Sequence, residues 1–577
     1  MTAPTTARLD GASSSAKPTG SWADDLWQRW TATPELRRRT EWTILGLVTL
    51  VAVLVRFVRL GQPDRIVFDE IYYVPDGWTI TNNGYESEWP ENKDELWASG
   101  QQGAYLDQAE YVVHPPLGKY LIGIFMHLFG AEHVWAWRFG VALFGAAAVP
   151  LLYFVGKKLF GSIALGAIAA GMLAIDGHAI AMSRTGILDI FVMFFVLLGF
   201  LFLLYDRDDQ NRKLSAWVAD WRRREHAIDP SVPLTSTPSR WRTTIHPPKS
   251  RPTGPDWGPV LWRRPWFVAM AFSLALATSV KWSGLYYLAL FCVLSIGLDA
   301  YARKREGITL WLSAAVLKQG PASFLLAIPL TLVTYVVSYG GWFLTGRGYN
   351  GIVESGVWQD GRFFDESTAT WRDGSLFDWL RLSFSHFVDY QQQVYEFHSR
   401  LAAGHSYNSA PYEWPFLLRP TAFQYTYIDP ADDPSCHANQ CVEAVTSLSN
   451  PLLYWLGTIA IVFLIMMLFV KPRWPYVAIL VSYAAGYLPW LLTGRTSVYH
   501  FYVIVWLPFM FLAAALALQT VAGDADDPRK QRTLAVNLVT GFFVLAILVS
   551  IFFYPVWTGL QIPDWYFNLT HWLPGWY

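Results

Sequence analysis

Two adjacent carboxylates, Asp69 and Glu70, stand in the stretch RIVFDEIYYVP, among aromatic and aliphatic residues just past the first long apolar run of the chain. A buried, unpaired carboxylate is expensive, so the pair needs a partner or a task. Other ionisable residues interrupt apolar sequence in the same way. His114 and Lys119 belong to HPPLGK, Arg138 follows Trp137, and Asp176, His178, Arg184 and Asp189 fall within AIDGHAIAMSRTGILD. Lys281 lies in TSVKWSGLYY, and Arg495, Tyr499 and His500 in TGRTSVYHFY. A carboxylate at an apolar–water boundary can take a proton from an incoming hydroxyl. Arginine can grip a phosphate through two parallel bonds, and lysine can hold one as a point charge. A phosphodiester leaving group is a weak base, so it needs cationic stabilisation more than a general acid. Trp and Tyr add flat faces for a sugar ring. The set suits transfer of a sugar from a lipid phosphate to a hydroxyl.

These residues must be positioned by a chain of 577 residues that is 53% apolar and only 15% charged. Its apolar residues come in blocks near the ~20-residue length that spans a bilayer, which defines an all-α polytopic membrane protein. A net charge of −1 gives no global field toward nucleic acid. The first residues, through TTARLDGASSSAKPTG, are small and polar, with no cleavable signal. Residues 1–40 thus read as a disordered cytoplasmic segment and 41–577 as the membrane domain.

Arg37, Arg38 and Arg39 precede the first span, at about 42–60, and hold the N-terminus in the cytoplasm. Residues 61–133 form an external loop carrying the acidic pair, and the apolar part of YVVHPPLGKYLIGIFMHLFG is short enough to be re-entrant or interfacial. A second span runs from Val134 to Lys157 and Lys158, and two more bracket AIDGHAIAMSRTGILD. Residues 206–264 read as a basic cytoplasmic loop, with Arg222, Arg223, Arg224, Arg240, Arg242, Lys249, Arg251, Arg263 and Arg264. Spans five and six meet at TSVKWSGLYY, span seven covers about 321–344, and residues 345–450 form a second large external segment. Span eight ends at KPRW, nine and ten meet at TGRTSVYHFY, and an eleventh leads to an aromatic, extracytoplasmic C-terminus. That makes about eleven helices.

In this topology every one of the ionisable residues above falls at the outer end of a helix. Each has an ordinary explanation alone. Asp69 and Glu70 could start a helix or pair with Arg56 or Arg59, and HPPLGK could be only a turn. Arg138 could snorkel, Lys281-Trp282 could anchor at the interface, and Tyr499-His500 could be a satisfied polar pair. Asp176, Arg184 and Asp189 could form an ion-pair network at their hairpin, with His178 structural. Basic residues at outer ends oppose the positive-inside trend, however, and a one-sided cluster points to anionic partners. The cluster reads as a site that faces outward.

Several of these stretches, in this order, resemble the protein O-mannosyltransferases. They are Asp69-Glu70, HPPLGK, Trp137-Arg138-Phe139, the Ser183–Asp189 stretch, SVKWSGL, YEWPFLLRP, SNPLLYW and YHFYVIVWLP. The resemblance implies the GT-C glycosyltransferase fold, a polyprenyl-phosphate-mannose donor and inversion at the sugar carbon. It implies Ser or Thr acceptors on exported proteins, at the plasma membrane, with coupling to the secretion machinery left open. It also implies Asp69 as catalytic base with Glu70 beside it, and Arg138 near the donor phosphate. His114, Lys119, Arg184, Asp189, Lys281, Arg495, Tyr499 and His500 are the further substrate-binding candidates. The segment 345–450 is too short for the β-trefoil domain of eukaryotic members, which suggests a bacterial, actinobacterial type. Cys436 and Cys441 could form an external disulfide, or join His437 in a poor zinc cage. No carboxylate-rich metal set is visible and no cofactor is expected. Three other readings compete. One is an enzyme of the same architecture acting on a lipid or glycan acceptor, which the acidic pair would serve equally. A transporter would put charges at mid-bilayer, and a scaffold would give no reason for the one-sided cluster.

Overall fold

The computed structural model describes residues 20–230, 254–402, 404, 406–431 and 433–576. A short helix, α1 (Trp22–Trp30), comes first, with a reciprocal cap between Ser21 and Asp24. It is pinned to the far end of the chain by Asp24–Arg532 at 3.0 Å and Asp25–Arg529 at 2.6 Å. Residues 22–30, expected to belong to a disordered segment, are therefore ordered by a cap and two ion pairs. Residues 34–40 of that expected segment are also helical, and residues 1–19 lie outside the described residues.

Helix α2 (Pro34–Phe57) starts at Thr33, whose hydroxyl caps Leu36 N, with Pro34 in the first turn where its missing N–H costs nothing. Between α2 and the next long helix lie α3 (Glu70–Asn83), α4 (Lys93–Ala98) and α5 (Leu117–Phe129). Helices α3 and α5 cross closely at Gly77 and Gly123, where a Cβ on Gly123 would stand 2.1 Å from Gly77 O. Only glycine fits there.

The bundle continues with α6 (Val134–Phe160), α7 (Ile163–Ile175), α8 (Gly177–Met182), α9 (Asp189–Ile228), α10 (Pro265–Val280) and α11 (Gly284–Arg305). Then α12 (Trp311–Ser313) runs through a π-helical turn into α13 (Gly320–Ser338), followed by α14 (Gly340–Thr345). Past the second external segment come α16 (Pro451–Val470), α17 (Trp474–Leu492), α18 (Leu507–Ala522) and α19 (Arg529–Thr558), and then α20 (Asp564–Leu569). All eleven expected spans are helical. Eight helices among the described residues are long and apolar enough to cross a membrane, while α7, α10 and α18 are shorter. Helix α9 has 78% of its apolar window buried and α2 only 17%, so α9 stands inside the bundle and α2 at its edge. Leu50, Leu332, Phe469 and Leu538 are exposed on outer faces suited to lipid.

One further expectation differs from the structure. Residues 206–228 are not loop but the end of the 40-residue α9, supported by an i,i+4 pair between Asp209 and Lys213 at 2.5 Å. Arg240, Arg242, Lys249 and Arg251 lie outside the described residues. The segment 345–450 adds strands to the helical bundle. It holds an antiparallel sheet of β1 (Trp358–Gln359), β2 (Arg362–Asp365) and β3 (Thr370–Asp373), then α15 (Leu376–Arg400). A second sheet pairs β4 (Thr421–Ile428) with β5 (Cys441–Ser447), and β5 in turn pairs with the distant β6 (Ile562–Pro563). Cys436 and Cys441 are joined in a disulfide beside it.

Candidate active site

Three buried arginines fix the chain where it leaves α2. Arg184 donates to the carbonyls of Arg56, Val58 and Arg59 at 2.9, 2.8 and 2.7 Å, satisfying the orphan end of that helix. Arg56 caps α7 in turn, donating to Leu173 O at 3.0 Å and Ala174 O at 3.1 Å. Arg138, from the first turns of α6, reaches the carbonyls of Pro63 at 2.9 Å and Arg65 at 2.8 Å. It also forks onto Glu70, Nε to Oε1 at 2.7 Å and Nη2 to Oε2 at 2.8 Å. Both side chains of that pair are fully buried. Glu70 additionally accepts from Gly186 N at 2.7 Å and Val67 N at 3.0 Å.

The two adjacent carboxylates thus meet opposite environments. Consecutive residues at a helix start point about 100° apart, and Phe68, immediately before them, holds φ at 50° in the left-handed region. A bulky residue there is strained and persists only where its surroundings fix it. Its ring stacks on Phe423 at 4.8 Å and meets Phe501 edge-on at 5.6 Å. Glu70 turns into the protein, whereas Asp69 faces a cavity of about 590 Å³. Asp69 makes no cap bond to its own helix. Burial pushes its carboxyl up to about 6, against the pull of Lys281 and Arg495. A carboxylate poised near the working pH, open to a cavity, can serve as general base.

Around the same cavity stand Tyr72, Tyr73, Asp76, Glu110, His114, Lys119, Lys281, His398, Arg495, Tyr499 and Tyr502. A smaller pocket of about 150 Å³ adjoins it, and His114, Lys281, His398, Arg495 and Tyr502 line both. Lys281 ends α10 and is held by Asp189 at the start of α9, 2.7 Å away, where a carboxylate complements the helix dipole. Arg495 bonds Ser497 O through Nε at 2.8 Å and approaches His398 Nδ1 at 3.5 Å. His114 stacks on His398 at 5.4 Å, and burial drives its imidazole well below the ordinary histidine value, so it is neutral near pH 7.

Six residues singled out in the sequence therefore meet at one cavity: Asp69, His114, Lys119, Lys281, Arg495 and Tyr499. Asp189 reaches the smaller pocket. Four other candidates do not line that cavity. Arg138 is fully buried and its donors are turned onto Glu70 and backbone carbonyls, so in this structure it holds the loop after α2. Glu70 is its counter-ion and is not open to substrate. Arg184 caps a helix. His500 is fully buried behind the wall, 3.3 Å from Tyr454 Oη. Lys119 lines the cavity, but it is paired with Asp76 at 3.1 Å and Glu86 at 2.7 Å. Asp176 forms no ion pair with Arg184 or Asp189 among the described residues, and its neighbour His178 takes a structural position. Asp176 caps Ala179 N and His178 meets Ser447 Oγ at 2.7 Å. Six polar wall residues were missed: Tyr72, Tyr73, Asp76, Glu110, His398 and Tyr502. Spacing could have found two of them, since Tyr73 and Asp76 fall four and seven residues after Asp69 on one helix face.

A bundle of membrane helices with an acidic loop residue and cationic groups around one cavity at helix ends is the architecture of a GT-C membrane glycosyltransferase. The pattern described as the C-terminal four TMM region of protein-O-mannosyltransferase matches residues 383–576, and that of dolichyl-phosphate-mannose–protein mannosyltransferase matches residues 113–219. The polyprenol-phosphate-mannose–protein mannosyltransferase of Mycolicibacterium smegmatis is 30% identical over 549 residues, 94% of either chain. That of Mycobacterium tuberculosis is 30% identical over 552 residues, 94% of this chain and 93% of the other. The chain belongs to the protein O-mannosyltransferase family. Its fold matches a chain of the Saccharomyces cerevisiae Pmt1–Pmt2 complex bound to the sugar donor, with TM-score 0.61 at 14% identity, over 97% of this chain and 95% of that one.

Proposed function

We propose that this mannosyltransferase takes mannose from a polyprenyl-phosphate-mannose donor to Ser or Thr hydroxyls of exported proteins, at the outer face of the plasma membrane. The observation that carries the reading is the split between the two carboxylates. Glu70 is locked to Arg138, while Asp69 faces the cavity beside Lys281 and Arg495. In this mechanism Asp69 takes the proton of the acceptor hydroxyl as its oxygen attacks the anomeric carbon. The bond from that carbon to the phosphate oxygen breaks on the opposite face, so the configuration inverts. The departing polyprenyl phosphate gains charge, and Lys281 and Arg495 stabilise it where the main cavity adjoins the smaller pocket. His114, neutral and stacked on His398, is positioned to hydrogen-bond the sugar or the phosphate.

Arg37, Arg38 and Arg39 before α2 support a cytoplasmic N-terminus, which places the start of α3 and the cavity on the outside. The charge stabilisation is assigned to side chains, with no metal ion required. The test is transfer from radiolabelled polyprenyl-phosphate mannose to a Ser/Thr-rich peptide by the purified protein. Asp69→Asn should lower the rate about 10²–10⁴-fold, the usual loss for a general base, with donor KM nearly unchanged. Near-wild-type transfer by that variant would remove Asp69 from the chemistry. Transfer to a lipid or glycan but not to peptide would replace the acceptor assignment.

A further inference from the structure

We propose that Asp76 and Glu110 form the subsite that recognises hydroxyl groups of the transferred hexose; the proposal rests on the mannosyl-transfer reading above. Asp69, Tyr72, Tyr73 and Asp76 follow one another along one face of α3 and all line the main cavity. Seven residues of helix rise about 10 Å, a gap suited to an attacking hydroxyl followed by one pyranose ring. Glu110 comes from a different element, the segment that leads into His114, and borders the same space. Neither carboxyl lines the smaller pocket that Lys281, His114 and Arg495 share with the cavity. The pair thus lies away from the cations assigned to the phosphate.

Its chemistry fits a polyol. Asp76 is 4% exposed and held by Lys119, which Glu86 grips at 2.7 Å, and Glu86 accepts the Trp342 indole N–H at 2.9 Å. That chain fixes the Asp76 oxygens in place. Glu110 Oε2 is buried and accepts from no N–H or hydroxyl donor among the described residues; the Asp76 carboxyl is the one side chain it meets there, through a shared proton. A buried carboxyl oxygen left without a donor is costly, and a substrate hydroxyl entering the cavity would satisfy it. Burial and the neighbouring Asp76 carboxylate raise the Glu110 carboxyl to about 8, with Lys93 and Lys119 opposing. Near neutral pH one carboxyl of the pair can donate while the other accepts, as a sugar hydroxyl requires. Rigid, buried groups suit the compact part of the substrate that stays constant from turnover to turnover. An acceptor polypeptide is extended and varies in sequence.

The experiment compares polyprenyl-phosphate mannose with its 2-, 3-, 4- and 6-deoxy analogues, using wild type, Glu110→Gln and Asp76→Asn in nanodiscs. A site built to bond a hydroxyl should reject the analogue lacking it, so the wild type should disfavour at least one deoxy donor by about 10²-fold or more in kcat/KM. In Glu110→Gln, kcat/KM for the intact donor should fall at least about tenfold, and discrimination against that analogue should shrink by a similar factor. Acceptor KM should not move. Glu110→Gln carries the test even if Asp76→Asn fails to fold, because the glutamine amide can still donate to the Asp76 carboxylate, the one side chain Glu110 meets there. Unchanged donor discrimination in Glu110→Gln would overturn the proposal. A raised acceptor KM with discrimination intact would overturn it too, and would assign the pair to the polypeptide. A wild-type protein that transfers no mannose would overturn the mannosyl-transfer reading itself, and with it this proposal.

Discussion

Glu70→Gln should unfold this protein more readily rather than merely slow its chemistry. The carboxylate receives four hydrogen bonds, two from Arg138 at 2.7 and 2.8 Å and two from backbone N–H groups of Gly186 and Val67 at 2.7 and 3.0 Å. Neither side chain of the pair touches solvent. A glutamine of the same shape keeps one accepting oxygen but turns an NH₂ toward groups that also donate. It leaves the guanidinium buried without its counter-ion. Removing one partner of a buried pair costs about 3–5 kcal/mol, a large fraction of a typical folding free energy of about 5–15 kcal/mol. Arg138→Lys should fall in the same range, since one ammonium cannot supply both the fork to Glu70 and the bonds to Pro63 and Arg65.

The assay is thermal unfolding of the detergent-purified variants, run beside the mannosyl-transfer assay. Glu70→Gln and Arg138→Lys should lower the melting temperature together with activity. The double variant Glu70→Met/Arg138→Met removes both charges and should be more stable than either single-charge deletion, Glu70→Met or Arg138→Met. Asp69→Asn should behave in the opposite way. Its carboxyl is raised by burial, so the ionised form weakens the fold as pH rises above the ordinary aspartate value, and an uncharged amide removes that penalty. Its melting temperature at neutral pH should hold or rise while transfer is lost. A Glu70→Gln protein that melts like wild type yet transfers no mannose would refute this division of labour.

Three further outcomes follow from the cavity. The acidic limb of kcat/KM should fall at about pH 6, because Asp69 must be ionised to accept a proton and burial holds it there; a limb near 4 would mean a solvated carboxylate. Lys281→Met and Arg495→Gln should each raise donor KM and lower turnover, as expected of cations whose phosphate partner gains charge during the reaction, while leaving acceptor KM unchanged; donor titration in nanodiscs distinguishes this from simple anchoring. Transfer should survive EDTA, since Lys281 and Arg495 are assigned the neutralisation a divalent ion would otherwise supply; loss of activity restored by Mg²⁺ or Mn²⁺ would reassign Asp69 as a ligand.

What the sequence disclosed and what it concealed divide along a physical line. Apolar length is a local property, so every block from Pro34 to Thr558 taken as a span is a helix. Depth is nearly local too, because the end of a helix sits at a known level. That is why Asp69, His114, Lys281 and Arg495 could be grouped before any contact was known. Azimuth is not local. Arg138 lies at the depth of the cavity, yet its side chain turns inward to Glu70 and to carbonyls of the loop after α2. His500 sits between Tyr499 and Phe501, which line the cavity, but is itself fully buried behind them. A residue one position along a helix or turn can face the opposite way, and which way it faces is decided by partners distant in the chain. The same holds for the small sheets. Strand β5 is completed by β6, a two-residue strand more than a hundred residues further along the chain, a pairing that no window of sequence could display. Tyr73 and Asp76 were the omissions that periodicity alone could have repaired. Once Asp69 is taken to face the cavity from the start of a helix, the positions four and seven residues later must face it as well, and they are Tyr73 and Asp76.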